Sequence, residues 1–171
     1  KMIPNIAGGQ IAIQNNLTGL NFSISTACSS ATDAIGMAFR LISNGHANAI
    51  VCGGAEGGIT PLTLSGFANM KALSKNNGKP SEVSKPFDKE RDGFILSEGA
   101  GMLFLENLDS AQKRGAKIIG EIIGYGITND AYHITQPDNQ STGAINAIKM
   151  AIKEANIELK DVDYINAHGT S

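Results

Sequence analysis

Two residue settings in this chain could carry acyl-transfer chemistry. Cys28 sits in Ser25-Thr26-Ala27-Cys28-Ser29-Ser30, between a short apolar stretch and the start of an amphipathic segment. A cysteine there meets the unpaired N–H groups and partial positive charge of a helix start, which favour thiolate over thiol. The same N–H groups can bind a developing oxyanion, so one turn could serve both roles. Small neighbours leave room for a substrate to reach the sulfur. The position equally suits a buried structural cysteine, and the local pattern leaves both readings open. His168 lies in Asn166-Ala167-His168-Gly169-Thr170, where an imidazole could give a proton to a bound carbonyl or take one from it. Alone, it could also be an ordinary hydrogen-bonded loop histidine.

The other chemistry-bearing residues read differently. Cys52 falls in the middle of an apolar strand and is expected to be inert. His46 follows Asn44-Gly45 and suits a partner for a helix C-terminal dipole. His133, in Asn129-Asp130-Ala131-Tyr132-His133, stays ambiguous. The glycine runs Gly53-Gly54-Ala55-Glu56-Gly57-Gly58 and Gly99-Ala100-Gly101 match neither dinucleotide nor P-loop spacing, and read as tight backbone packing. Asp88, Glu90, Arg91 and Asp92 have the composition of a metal loop, but an Arg–carboxylate network is the simpler reading. No cysteine spacing resembles a zinc site, and no metal is expected.

Such residues need rigid elements to hold them, and the apolar periodicity supplies an α/β pattern. Short apolar strands are expected at Leu20–Ile24, Ala47–Cys52, Ala100–Glu106, Ile118–Ile127 and Val162–Ala167. Their lack of polar alternation suits a parallel sheet covered on both faces. Ala31, Ala34, Ile35, Ala38, Phe39 and Ile42 form one helical face that Asn44-Gly45 ends. Thr60-Pro61 opens a helix running toward Leu73. Ser74–Asp92 reads as a long surface loop, and Asp109 as the cap of a short helix ending at Arg114-Gly115. Ser141-Thr142 begins a helix with Ala144, Ile145, Ile148, Ala151, Ile152 and Ala155 on its apolar face. Glycines at 120, 124 and 126 point to bends or close packing. Cys28 and His168 then fall at strand ends, where such sheets keep their chemistry.

Composition narrows the function classes. Fourteen Lys+Arg against sixteen Asp+Glu leave a net charge of −2, which supplies no basic field for nucleic acid or an anionic membrane. Tryptophan is absent and aromatics are few, which weakens base stacking. No apolar run approaches the roughly 18 residues of a membrane span. Two cysteines without a CxxC pair read as a reduced, intracellular protein. The opening Lys1-Met2-Ile3-Pro4 has no signal-peptide character, and both ends read as internal to a longer protein.

Five motifs then carry a resemblance. Ser25-Thr26-Ala27-Cys28-Ser29-Ser30, Gly53-Gly54-Ala55-Glu56, Lys85-Pro86-Phe87-Asp88 with Glu90-Arg91-Asp92-Gly93-Phe94, Glu98-Gly99-Ala100-Gly101, and Asn166-Ala167-His168-Gly169-Thr170-Ser171 resemble the elongating β-ketoacyl-acyl carrier protein synthases. They occur in family order across essentially the whole chain, and look most like the type II fatty-acid enzyme. A ketosynthase domain of a polyketide synthase is the alternative, though it tends to read Asp-Thr-Ala-Cys and Glu-Ala-His-Gly-Thr. Ser97 stands where glycine is common before Glu-Gly-Ala-Gly.

The resemblance implies a thiolase-like fold of layered α-β-α-β-α type. Residues 1–127 would be part of its N-terminal half and 128–171 the start of its C-terminal half. It implies that Cys28 accepts an acyl chain from the phosphopantetheine of acyl carrier protein. His168 would be one of two histidines assisting malonyl decarboxylation. Thr135 and Thr170 match pantetheine-channel positions, Phe67 matches an acyl-pocket position, and Ala27 lies beside the nucleophile. Lys71 matches a basic contact to the carrier protein, or is a solvated lysine. The family implies a homodimer with no metal or redox cofactor, in the cytoplasm or a plastid-type organelle. The second histidine, an associated lysine and a gating loop are expected beyond Ser171, so the parent protein, rather than this stretch, should condense. A chain-length factor would lack Cys28, and a thiolase or starter-type synthase fits the Asn-Ala-His-Gly-Thr-Ser ending less well. An acyl-binding module without turnover remains a further reading.

Overall fold

The computed structural model describes residues 3–171, so the opening Lys1-Met2 read above lies outside it. Helices are α1 (Ile6–Asn15), α2 (Ser30–Ser43), α3 (Pro61–Asn69), α4 (Pro80–Val83), α5 (Leu108–Lys113) and α6 (Thr142–Ala155). Strands β1 (Ala49–Glu56) and β2 (Gly99–Glu106) pair in a two-stranded sheet, and 3-10 turns cover Ala27–Ser29 and Leu159–Asp161. The chain divides into two compact units. One takes residues up to Gly54 together with Gly101–Asp161; the other takes Ala55–Ala100 and Val162–Ser171.

In the first unit, α2 forms where the apolar period predicts it. Asp33 in its first turn and Arg40 in its last complement the helix dipole. Gly45, at φ 74°, ends it, and the His46 N–H returns to the Leu41 carbonyl at 2.8 Å. Ala38 and Ile42 are buried. The strand expected at Ala47–Cys52 runs two residues later at its start and four later at its end, with Cys52 buried at its centre.

The expectation of a covered parallel sheet does not hold for this pair. The Asn107 N–H donates to the Asn48 carbonyl at 2.9 Å, while Gly53 lies against Gly101 and Met102, so the strands run antiparallel. Gly53, at φ 151°, brings β1 so close to the Gly101 carbonyl that a side chain there would collide with β2. Most of β2 is exposed rather than sandwiched: Met102, Leu103 and Phe104 are all exposed, so both faces of the strand are open here.

Three expected strands, Leu20–Ile24, Ile118–Ile127 and Val162–Ala167, are not strands among the described residues. Apolar patterning selects buried chain, but a strand exists only where a neighbour accepts its N–H and C=O groups. No such ladder forms on these segments. Two of the three glycines flagged in the second segment do mark close packing. Any side chain at Gly124 or Gly126 would strike the α6 backbone at Ala151 or Ala147, whereas Gly120 faces open space.

Helix starts follow side-chain chemistry more finely than the sequence reading placed them. Asn107, not Asp109, caps α5, its Oδ1 accepting from the N–H groups of Asp109 at 3.0 Å and Ser110 at 3.4 Å. Arg114 at the end of α5 forks back onto Glu106 at 2.7 and 2.9 Å. Helix α6 begins at Thr142 as expected, with Asp138 rather than Ser141 accepting from the Thr142 N–H at 3.2 Å. Helix α1 was not foreseen, because Gly8 and Gly9 dilute its pattern.

In the second unit, Thr60 caps α3 through its Oγ1, which accepts from the Thr63 N–H at 3.2 Å, and Pro61 takes the first helical position. The helix stops at Asn69, short of Leu73. The 74–92 stretch is a loop carrying the short α4. Asp92 ties its two ends, accepting from the Ser74 hydroxyl at 2.6 Å and the Lys75 N–H at 3.1 Å. Arg91 bonds the Asp88 backbone carbonyl at 2.7 Å, so the Arg–carboxylate network expected there is replaced by backbone and hydroxyl contacts.

Candidate active site

Cys28 lies exposed in the 3-10 turn Ala27–Ser29, which feeds directly into α2. Exposure removes the buried structural reading of this residue. Cys52, by contrast, is buried in β1, and burial pushes its thiol up from the ordinary range.

The turn that presents Cys28 is strained. Ala27 has φ 51°, a left-handed conformation that costs a non-glycine residue about 1–2 kcal/mol. Short polar bonds on both sides hold it. The Ser30 hydroxyl accepts from the Thr26 N–H and donates to the Ala27 carbonyl, both at 2.8 Å. The Ser29 hydroxyl lies 2.9 Å from the Thr26 carbonyl and 3.0 Å from Asp33 Oδ2. The Thr26 hydroxyl donates to the same Asp33 oxygen.

Asp33 is 5% exposed, a buried carboxylate on the first turn of α2. Its second oxygen, Oδ1, accepts from the Tyr125 hydroxyl at 2.7 Å. Burial alone would raise its pKa, but the Thr26, Tyr125 and Ser29 hydroxyls outweigh it and hold the carboxyl below its ordinary value. Tyr125 is 6% exposed; burial first, then the Asp33 bond and charge, pushes its phenol up to about 12, with Arg40 opposing. Its ring lies on Gly36, where any side chain would collide with it. The Arg40 guanidinium stands 4.9 Å from the ring centroid and donates to the Tyr125 carbonyl at 3.2 Å. Glu154 of α6 takes the Tyr125 N–H at 2.7 Å and pairs with Arg40 at 3.4 Å.

This network was not foreseen from the sequence. Its signal was Thr26, Ser29 and Asp33 at successive spacings of three and four, which lines up two hydroxyls and an acid ahead of a helix otherwise apolar on one side.

The Tyr125–Asp33 bond has a definite pH signature. The neutral phenol is favoured in the folded state, so its stabilisation is complete below the unfolded phenol value near 10.0 and is lost as pH rises through about 12. The Asp33 contribution has the opposite edge: complete above its ordinary 3.8, it is lost as pH falls through the lower folded value. In urea melts of the full-length protein, wild type should exceed Tyr125→Phe by about 1.5–3 kcal/mol at neutral pH, the worth of a bond to a charged acceptor. That margin should close between about pH 10 and 12; a margin unchanged there would contradict the assignment.

Also in the first unit, residues 128–134 line an open cleft of about 540 Å³. His133 lies on it, its Nδ1 accepting the backbone N–H groups of Thr135 at 3.2 Å and Gln136 at 3.1 Å. His133 therefore shapes the turn that carries Thr135, which is exposed.

In the second unit, His168 and Thr170 share a cleft of about 320 Å³ with Phe87, Arg91 and Gly169. The Lys85 N–H donates to the Ser171 hydroxyl at 2.8 Å, so the 168–171 segment is seated against the 85–91 loop. Gly169 faces the Phe87 ring, and a side chain there would displace it. Phe87 itself is left-handed at φ 66°. Phe67 of α3 is half-buried, edge to face with Phe94 at 6.0 Å, and Lys71 is exposed just beyond the helix at φ 57°. The site candidates thus divide between the units: Ala27, Cys28 and Thr135 belong to the first, and Phe67, Lys71, His168 and Thr170 to the second. Phe87 and Arg91, which the sequence reading placed in a motif and in a loop network but not in a site, line the cleft with His168.

No helix among the described residues is long and apolar enough to cross a membrane.

Comparison with known proteins places these features. Residues 1–111 match the model of the beta-ketoacyl synthase N-terminal domain, and residues 119–171 that of the C-terminal domain. The chain is 52% identical over 170 residues to 3-oxoacyl-[acyl-carrier-protein] synthase 2 of Synechocystis sp., covering 99% of this chain and 41% of that relative. It is 50% identical over 168 residues to the Rhizobium meliloti protein of the same name, covering 98% of this chain and 40% of that one. The chain therefore spans about two-fifths of the length of the curated relatives it matches.

Among solved structures, one similar chain comes from the AntDE:AntF complex, a type II polyketide synthase acyl-carrier protein with its ketosynthase bound to the hexaketide. Its TM-score is 0.92 at 36% identity, covering 96% of this chain and 41% of that one. A beta-ketoacyl synthase from Burkholderia phymatum gives 0.91 at 33%, covering 99% and 41%. The fold is accordingly the thiolase-like α/β fold of these ketosynthases, and the relatives named 3-oxoacyl-[acyl-carrier-protein] synthase 2 match at higher identity than the polyketide-synthase chain. With both domain models matched in order along nearly its whole length, the chain belongs to the β-ketoacyl synthase family.

Proposed function

We propose that the full-length protein is an elongating β-ketoacyl-acyl carrier protein synthase. The observation that carries this reading is Cys28, exposed on a strained turn at the start of α2 inside a matched synthase domain. Cys28 attacks the thioester of an acyl carrier protein, forming an enzyme acyl thioester and releasing the phosphopantetheine thiol. Malonyl carrier protein then loses carbon dioxide, and the electron pair left on its α-carbon forms an enolate. His168 donates to the thioester oxygen of that enolate. The α-carbon attacks the acyl carbonyl on Cys28, expels the Cys28 thiolate, and leaves a β-ketoacyl product two carbons longer. These steps balance without any redox change, so they call for no redox cofactor, and none calls for a metal.

The remaining residues take supporting roles in this reading. Thr135 and Thr170 line the pantetheine channel, Phe67 bounds the acyl pocket, and Ala27 lies beside the acylated sulfur. Lys71, exposed and cationic, contacts the acidic carrier protein. Residues 1–127 contribute to the N-terminal half of the fold and 128–171 to its C-terminal half. The protein works as a homodimer in the cytoplasm, or in a plastid-type organelle if eukaryotic, without nucleic-acid or membrane partners.

The test is reconstitution. Full-length protein, acyl carrier protein charged with a saturated acyl chain, and malonyl carrier protein should yield a 3-oxoacyl carrier protein, read by intact mass, with one carbon dioxide released per product. Absence of that product with both carriers charged would overturn the reading.

A further inference from the structure

We propose that Asp33 is the positioning residue for the nucleophilic turn. Anchored from behind by the Tyr125 hydroxyl, its buried carboxylate gathers the Thr26 and Ser29 hydroxyls from either side of Ala27–Cys28 and holds the thiol in its presented conformation. This rests on Cys28 being the nucleophile.

The two carboxylate oxygens divide the work. Oδ2 faces the turn and takes Thr26 and Ser29; Oδ1 faces away and takes Tyr125 at 2.7 Å. An ionised carboxylate offers about four acceptor positions, so three hydroxyls nearly fill it. Asp33 is satisfied by these hydroxyls. The cation of the network, Arg40, is engaged with the Tyr125 ring and carbonyl and with Glu154. A buried anion with aimed donors resists movement, because shifting it strips bonds that water cannot replace there.

What Asp33 holds needs holding. Ala27 is left-handed without being glycine, and such residues persist only where the surroundings over-determine them. Ser30 fixes the turn from inside, through Thr26 N–H and Ala27 C=O. Asp33 fixes it to the body of the unit. The anchor is independent of the turn: Tyr125 is set by Glu154 at its N–H, by Arg40 over its ring, and by Gly36, whose missing side chain lets the ring lie flat on α2. Asp33 thus links a rigid contact between α2 and the Tyr125 segment to the residue before the thiol. It touches no substrate in this account and acts through Cys28.

The experiment uses full-length protein carrying Asp33→Asn, Thr26→Val, Thr26→Ser or Tyr125→Phe. Single-turnover acyl transfer from acyl carrier protein to Cys28 is followed by intact mass at several carrier concentrations. Asp33→Asn and Thr26→Val should slow the saturated rate about tenfold or more, the scale of a misplaced reacting group, with little change in half-saturating carrier. Thr26→Ser restores the hydroxyl and should restore the rate to within about twofold. Tyr125→Phe should fall between. Cys52, buried in β1, reports loss of structure and should stay unlabelled by iodoacetamide over the time of the acyl-transfer measurement in every variant, so that each is folded while it is assayed.

Wild-type acyl transfer in Asp33→Asn and Thr26→Val would overturn the proposal. So would a loss that Thr26→Ser does not repair, or one found only where Cys52 becomes labelled during the assay, since either makes the network merely structural. Failure of the underlying reading looks different: wild-type protein alkylated at Cys28 would then still condense.

Discussion

Alkylation of the full-length protein should take Cys28 and spare Cys52, and condensation should fall in step with the first label by more than about 10³-fold. The two thiols are set apart by their surroundings. Cys28 is exposed on the 3-10 turn that feeds α2, where an alkylating agent reaches the sulfur. Cys52 is 7% exposed in β1, with its thiol pushed up by burial, so it is both shielded and poor in thiolate. Losing a nucleophile removes the covalent route itself, whereas blocking a buried strand cysteine would require the strand to open first. Limited iodoacetamide treatment, peptide mass mapping and a parallel condensation assay make the measurement. First-order loss of activity tracking Cys52, or full activity with Cys28 fully labelled, would remove Cys28 from the mechanism.

His168→Ala should separate two half-reactions. Malonyl decarboxylation should drop by about 10²–10⁴-fold, the range associated with a positioned proton donor or acceptor. Acyl transfer to Cys28 should stay within a few-fold of wild type. In the proposed reading the backbone N–H groups of the Cys28 turn hold the oxyanion of the loading step, which then does not draw on the imidazole. Decarboxylation develops charge on the malonyl thioester oxygen, and His168 lies on the cleft with Thr170, Phe87 and Arg91. Carbon dioxide release from malonyl carrier protein and mass-resolved loading from acyl carrier protein read the two steps separately. Equal losses in both would mean that His168 serves the loading step too.

The legible part of the fold was the part written in local chemistry. Helix α2 showed in its apolar period, α3 in Thr60-Pro61, and α6 in the Ala144–Ala155 face, because helices satisfy their own backbone within one stretch of chain. Strands do not, and three apolar runs read as strands lack a ladder. Their hydrophobicity says that they need cover, while their hydrogen bonding depends on chain far away in sequence. The antiparallel sense of β1 and β2 was hidden for the same reason. In the site, Cys28 and His168 stood out by residue type and setting, and the motifs tied them to a family. Asp33 did not stand out, because its role depends on Tyr125, distant in sequence and brought over α2 by tertiary packing.

Ala27 sets a narrow mutational window beside Cys28. At φ 51° glycine fits without strain and asparagine or aspartate with little, whereas valine, isoleucine and threonine are β-branched and disfavoured there. Single-base changes from an alanine codon reach glycine, aspartate, valine, threonine, serine, proline and glutamate. Of these, glycine alone removes the strain altogether, and it does so by freeing the backbone that the hydroxyl cluster holds. Drift at this position is therefore constrained from both sides: bulk breaks the turn's geometry, and flexibility loosens it. Alanine is a compromise between the two, stiff enough to hold the thiol in place and small enough to bear the left-handed backbone.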